Sequence, residues 1–188
     1  MSLSRFATTD LPLAGLKLIE RQNLGDSRGF LSRMFCAEEL AAAGWAKPVA
    51  QINLTMTARK GTVRGMHFQH PPHSEMKLVN CIRGAVWDVA VDLRADSSTY
   101  LKWHAEELSA DNRRSLLIPE GFAHGFQTLT GDCELLYLHS VPYVPGAEGA
   151  LNSQDAALGI NWPLEITEMS ERDRRHPYLT EEFTGLTP

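Results

Sequence analysis

The run Ser115-Leu116-Leu117-Ile118-Pro119-Glu120-Gly121-Phe122-Ala123-His124-Gly125-Phe126 decides the architecture of this chain. An apolar stretch, Ser115–Ile118, breaks at Pro119 and Gly121 and resumes over Gly125–Leu129. Proline presets φ and removes a donor, and glycine accepts positive φ, so together they mark a tight turn between two strands. A histidine just behind such a turn points at the mouth of whatever barrel the strands enclose.

Outward from this turn the pattern repeats. Between residues 49 and 145 the chain is a series of short apolar runs: Val49–Met56, Lys77–Ile82, Ala85–Leu93, Lys102–Leu108, Ser115–Ile118, Gly125–Leu129 and Glu134–Leu138. Arg83-Gly84, Ala110-Asp111-Asn112 and Gly131-Asp132 punctuate them. Strands recurring about every ten residues indicate a sandwich, jelly roll or barrel. Before this region, Leu16–Glu20 and Phe30–Phe35 read as strands around the turn Gly25–Phe30, and Ala37–Ala43 reads as a helix ending at Gly44. Ser170–Arg175 is a second short helix, closed by Pro177. The expectation is one all-β domain over residues 1–188, with N-terminal strands and a C-terminal helical tail packed on it. The strands at Leu16–Glu20 and Phe30–Phe35 carry long apolar content and few blocking devices, so they are expected to be sheet edges covered by a second subunit.

At 188 residues the chain is long enough to bury a real core, and its 43% apolar and 22% charged residues are ordinary for a globular protein. A net charge of −5 argues against nucleic acid or an anionic membrane as partner, while leaving room for a local basic pocket. No apolar run approaches about 20 residues, so no helical membrane span is expected. No signal peptide is expected at the N-terminus. Cys36, Cys81 and Cys133 are odd in number and set in apolar surroundings, which predicts reduced core thiols and a cytoplasmic protein.

The chemistry-bearing residues begin with Arg64-Gly65-Met66-His67-Phe68-Gln69 and Lys77-Leu78-Val79. An arginine holds an anion, a histidine moves a proton at neutral pH, and a lysine neutralises a developing oxyanion. Pro119-x-Gly121-x-x-His124 resembles the second half of the signature of the cupins, small jelly-roll barrels. Metal-binding cupins pair it with His-x-His plus a carboxylate, but here His67 is followed by Phe68, Gln69 and His70, with His73 further on. Two ligands on one strand face need a spacing of two, so His70 and His73 read as loop residues and no metal is expected. Moving protons beside a carbonyl without metal needs a base, an oriented carboxylate, a cation for the enolate oxygen and an acid on the opposite face. His67 and Lys77 suit two of these roles, and Tyr137, in Glu134-Leu135-Leu136-Tyr137-Leu138, is a candidate acid. Asp173, within Glu171-Arg172-Asp173-Arg174, reads by itself as a solvated helix residue.

The ordered set Asp26-x-Arg28-Gly29, Arg64-Gly65-x-His67-x-Gln69, Lys77-Leu78-Val79, Arg83-Gly84, Asp88-Val89-x-Val91-Asp92-Leu93-Arg94, Ile118–Phe126, Leu136-Tyr137, Gly159-Ile160-x-Trp162-Pro163 and Ser170-Glu171-x-Asp173 resembles the dTDP-4-dehydrorhamnose 3,5-epimerase family. The likeness runs from about residue 15 to 178. It implies a cupin-like jelly-roll homodimer without cofactor, acting on a nucleotide-linked 4-keto-6-deoxy sugar at C3 and C5. On this resemblance His67 is the base and Asp173 its dyad partner, Lys77 faces the C4 oxygen, and Tyr137 reprotonates from the opposite face. Arg28 and Arg64 are implied diphosphate contacts, Arg28 from across the dimer. Gln51 and His124 are implied to line the sugar pocket, and Asp88 to partner one of the cations. Tyr143 remains where the family has a tyrosine pair, since Pro142 replaces the first ring.

Other departures lie toward the nucleotide end. Leu31 and Arg33 stand where much of the family carries an aromatic and a glutamate, and the run after Glu148 reads Gly149-Ala150-Leu151-Asn152-Ser153-Gln154-Asp155. The proton-transfer set is intact. Three alternatives stay open at this point. They are a single-carbon epimerase on a related nucleotide sugar, a metal-dependent cupin isomerase or dioxygenase using His67, His70 or His73, and His124, and a non-catalytic sugar-binding jelly roll.

Overall fold

Alternation with a period of two builds this molecule, because successive strand side chains point to opposite faces of a sheet. The computed structural model describes residues 4–188. Among them, in chain order, are β1 (Phe6–Asp10), β2 (Lys17–Arg21), β3 (Asn23–Asp26), β4 (Gly29–Ser32), α1 (Ala37–Ala41), β5 (Gln51–Thr57), β6 (Val63–Gln69) and β7 (Lys77–Arg83). There follow β8 (Ala85–Asp92), β9 (Trp103–Ser109), β10 (Arg114–Ile118), β11 (Phe122–Thr128), β12 (Cys133–His139), β13 (Glu148–Ala150) and α2 (Glu171–Arg174). A six-stranded sheet runs β1-β2-β10-β7-β12-β5 and a five-stranded sheet runs β13-β6-β11-β8-β9, while β3 and β4 form a separate hairpin. This is the expected jelly roll.

Each sheet is buried on both faces for most of its width. Between the sheets lie Leu18, Val79, Val86, Ala90, Leu116, Ile118, Phe122, Phe126 and Leu135. The outer face of the six-stranded sheet packs Ile19, Leu78, Leu117 and Leu138 under Leu40 and Trp45 from α1 and the turn after it. On the outer face of the five-stranded sheet, Met66, Phe68, Val89, Val91 and Ala123 meet Leu151, Leu158 and Leu186 of the C-terminal tail. This double cover explains why β11 is buried at every position, its polar His124, Gln127 and Thr128 included. Each fully buried leucine contributes about 1.5–3 kcal/mol of transfer free energy.

One edge expectation is corrected. Leu16–Glu20 is not an edge, because β1 pairs with β2 on one side and β10 on the other. β1 is missed in the sequence because only its first residue, Phe6, is buried, so no alternation shows. Nor does Phe30–Phe35 join a barrel sheet; its strand stops at Ser32 inside the hairpin. Two groups of exposed apolar side chains stand out among the described residues, one on that hairpin, with Phe30 71% and Leu31 70% exposed, and one on the outward face of edge strand β5 at Ile52, Leu54 and Met56.

Candidate active site

Between the two sheets is a cavity of about 210 Å³. Period-two geometry aims Lys77 from β7 and Tyr137 and His139 from β12 inward from one sheet, and His67, Gln69 and His124 from β6 and β11 inward from the other. The strand register fixes the neighbours: His139 lies opposite Lys77, and His124 opposite His67. The β6–β11 crossing is close enough to demand glycine. A Cβ on Gly65, at φ +126°, would lie 2.5 Å from the Cα of Gly125, and one on Gly125 would lie 2.7 Å from the Arg64 carbonyl oxygen. The two glycines beside Arg64 and His124 are therefore a packing requirement of the β6–β11 crossing.

His67 reaches Asp173 with Nε2 2.9 Å from Oδ1. The aspartate is placed by a local device. Ser170 caps α2, its hydroxyl accepting from the Asp173 backbone N–H at 3.0 Å, and the single turn delivers the carboxylate to β6. Burial alone would raise this carboxyl, but the hydrogen bonds and charges of His67 and His176 outweigh it and hold Asp173 below the ordinary carboxylate value. Asp173 is thus buried and paired, where the tail's charge pattern suggested a solvated residue. His176 is a further neighbour, with Nε2 3.1 Å from the same Oδ1. Burial and the charge of His67 push its imidazole down.

Asp88 partners His124, not a lysine or arginine: both carboxylate oxygens lie 2.9–3.0 Å from Nε2, and the pair is buried. Lys77 is buried too, with Nζ 3.1 Å from Glu75 Oε1. Taking an ammonium out of water costs several kcal/mol, which a paired carboxylate offsets. Glu75 also bonds His139 Nδ1 at 2.8 Å, and His139 stacks on Tyr137 with ring centroids 6.1 Å apart. Burial opposes ionisation of Glu75, but Lys77 and His139 prevail and hold its carboxyl down. Burial drives the Tyr137 hydroxyl well up, so it remains protonated at neutral pH.

The mouth of the cavity carries Arg64, whose Nη1 donates to Thr57 at 3.3 Å, and Tyr143, whose hydroxyl donates to Glu148 at 2.8 Å. Arg172 pairs with the same Glu148. Gln51 sits one step beyond the wall formed by Asn53 and Thr55, and its Oε1 accepts from the Tyr143 backbone N–H at 2.9 Å. Arg28 is not at this cavity; it stands on the exposed hairpin, 3.1 Å from Asp26. His70 leaves the site as well, packing edge-on against Phe68, a residue of the outer face, at 5.0 Å. The histidines of the metal-cupin alternative do not gather around one point: among the described residues the donor atoms that cluster with His67 are those of Asp173 and His176, not those of His124, His70 or His73.

Glu75, His139, Glu148, Arg172 and His176 are site neighbours that the sequence reading does not single out. A signal exists for His139 alone, two residues after Tyr137 and so on the same strand face. Glu75 lies outside the strands, Glu148 opens β13, which is too short to show alternation, and Arg172 and His176 lie in the charged tail.

The sequence profile of the dTDP-4-dehydrorhamnose 3,5-epimerase family matches residues 10–181. The dTDP-4-dehydrorhamnose 3,5-epimerase of Sinorhizobium fredii is 43% identical over 172 residues, covering 91% of this chain and 88% of that one. The crystal structure of the Bacillus anthracis enzyme of the same name, with TDP and PPi bound, superposes with a TM-score of 0.89 at 37% identity, covering 93% of this chain and 99% of that one. An epimerase from Legionella pneumophila, solved in complex with dTDP-4-keto-L-rhamnose, gives 0.87 at 34% identity, covering 92% of each chain. The chain belongs to the dTDP-4-dehydrorhamnose 3,5-epimerase family of isomerases, with the jelly-roll fold that the resemblance implies.

Proposed function

We propose that this chain converts dTDP-4-dehydro-6-deoxyglucose to dTDP-4-dehydrorhamnose, inverting C3 and C5 by proton transfer through an enolate, without a cofactor. One observation carries the reading: His67 stands on one sheet, while Lys77 and Tyr137 stand on the facing sheet, with a single cavity between them. A sugar ring held there has its two faces toward different proton carriers, which is what inversion requires.

The steps follow from the bonds. With His67 Nε2–H donated to Asp173, the lone pair is on Nδ1, which takes the proton from the carbon beside the C4 ketone. The electrons of that C–H bond become the enolate, and its charge on O4 meets the Lys77 ammonium. Neither group suffices alone, because a ketone α-proton is too weakly acidic to leave without a stabilised enolate. Tyr137 then delivers its phenolic proton from the opposite face, and solvent exchange restores both residues. Burial raises the Tyr137 hydroxyl and keeps it protonated until this step, with the Thr55 hydroxyl and the Arg64 charge opposing only part of that rise.

A 210 Å³ cavity suits the sugar alone, since whole drug-sized ligands occupy about 300–1,000 Å³. The diphosphate then meets Arg64 at the mouth, and the nucleoside extends past Tyr143. Arg28 contributes only from a second subunit. The apolar hairpin and the outward face of β5 support a homodimer, since both expose large side chains that a partner would cover. A monomer by light scattering at micromolar concentration, with full activity, would remove Arg28 from the site. The three free thiols support a cytoplasmic location, and no helix among the described residues is long and apolar enough to cross a membrane.

The test is incubation with dTDP-4-keto-6-deoxyglucose in D2O, read by NMR. Deuterium at C3 and C5 with inversion at both is expected. Deuterium at one carbon reduces the activity to single-site epimerisation, and exchange at neither overturns the proposal.

A further inference from the structure

His176 is not among the residues lining the central cavity and has no part in the proton transfers above, yet it touches both members of the dyad. Its Nε2 lies 3.1 Å from Asp173 Oδ1 and 3.3 Å from His67 Nε2, and His67 Nε2 lies 2.9 Å from the same Oδ1. The two rings meet edge to face at 90°, so both nitrogens are directed at one carboxylate oxygen rather than stacked away from it. Hydrogen bonding leaves this triangle imperfect. If both nitrogens donate to Asp173, two N–H groups face each other across 3.3 Å.

A four-coordinate ion fits the same triangle better. Bonds of about 2.0–2.1 Å to nitrogen and oxygen place tetrahedral ligands about 3.3 Å apart, and the observed sides are 2.9, 3.1 and 3.3 Å. Two imidazoles, one carboxylate and an open fourth position is a recurrent zinc ligand set. Among the described residues these are the three whose ligand atoms gather within 4.8 Å. Their support is built in. Ser170 caps the turn that carries Asp173, and Asn152 holds the backbone around His176 through the carbonyls of Arg174 and His176. The adjacent cation, Arg172, is already occupied by Glu148. An ion has a route in, because His67 is 35% exposed at its side chain and borders a cleft shared with Thr62, Glu168 and Ser170.

We infer that His67, Asp173 and His176 form a reversible binding site for Zn²⁺ or a similar divalent transition metal, and that filling it switches the catalytic base off. The switch follows from proton placement. A neutral imidazole bound to metal through Nε2 carries its one proton on Nδ1. That is the atom whose lone pair takes the substrate proton. Metal binding here therefore changes the tautomer of His67 as well as removing its aspartate. The metal site stands on geometry alone; its inhibitory effect rests on the proposed function.

The experiment titrates the full-length protein with Co²⁺, followed by displacement with Zn²⁺. One Co²⁺ per chain is expected, with the visible absorption of a four-coordinate ion that Zn²⁺ abolishes. His176→Gln, which keeps a donor for Asp173 but not the imidazole, should weaken binding by more than about ten-fold, the least that losing even a group behind a metal ligand costs. Asp173→Asn gives the same spectral test should the glutamine variant fail to fold. No stoichiometric cobalt spectrum in wild type, or wild-type affinity in the variants, overturns the site; the ion would then sit elsewhere, for instance at His70 and His73. In D2O, saturating Zn²⁺ should stop substrate exchange in wild type, EDTA should restore it, and His176→Gln should be insensitive. Metal bound without loss of exchange overturns the switch and leaves the epimerase reading standing. A metal-free wild type that exchanges nothing sinks the epimerase reading, while the cobalt spectrum still decides the site.

Discussion

His67–Asp173 and His124–Asp88 are chemically the same pair, neighbours across β6 and β11, each with a nitrogen–oxygen distance of 2.9 Å. Their surroundings differ. Asp88 and His124 belong to adjacent strands of one sheet and are both buried. Asp173 comes from a capped turn in the tail, and the His67 side chain is 35% exposed. The difference teaches that bond length does not identify a base. A base must meet substrate and then lose its proton to solvent, and His67 has the access for both. The His124 pair is a fixed polar wall.

The largest expected effect separates the two pairs directly. His67→Ala should lower turnover by about 10²–10⁴-fold, the usual worth of base catalysis, with little change in folding. His124→Ala should cost much less in solvent exchange of the substrate. Equal losses of exchange would break the distinction. Lys77→Met should follow closely, by about 10²–10³-fold in kcat, because the enolate charge exists only along the reaction path. A raised KM with unchanged kcat would move Lys77 from the reaction to binding. Tyr137→Phe sharpens the comparison between sheets. With the base in place and the opposite-face acid gone, deuterium should still enter the sugar while net inversion is lost. Normal epimerisation by this variant would transfer the acid role to water or Tyr143.

The smaller effects concern stability. Asp88→Asn leaves a buried histidine without its carboxylate and should cost about 1–3 kcal/mol in urea unfolding. A neutral result would show the buried pair to be dispensable for the fold. Asp92 offers a carboxylate with no histidine. Burial raises it, but Arg94, Ser97 and Thr99 outweigh that and hold it down. A depressed folded value means stability that is complete above about pH 4 and lost as pH falls through the folded value. An Asp92→Asn variant should therefore differ from wild type at neutral pH and converge with it in acid.

Much of this was legible in the chain. The strands around Lys77, His124 and Tyr137 show as short runs between turn residues, and within a strand a spacing of two assigns the faces. Pro119 and Gly121 mark the turn before β11, and Gly44 closes α1 with φ +106° as a C-terminal glycine does. What was not legible depends on contacts distant in sequence. Asp173 lies among charges that look solvated, and its burial follows from a partner 106 residues away. Glu75 and His176 carry no periodic signal, and each gains meaning only from the residue it meets. β2 looked like an edge because the strand that covers it, β1, buries only Phe6.

The placement of Asp173 also separates being folded from being active. By Ala150 every strand of both sheets has been laid down, yet His67 still lacks its carboxylate. The segment that supplies it is a single turn, too short to persist without its cap and its pairing partner. Local opening of that turn is thus the cheapest excursion available to the site, well below the free energy of opening the sheets. On warming, catalysis should fade while the barrel's amide protons are still protected, so that inactivation precedes melting.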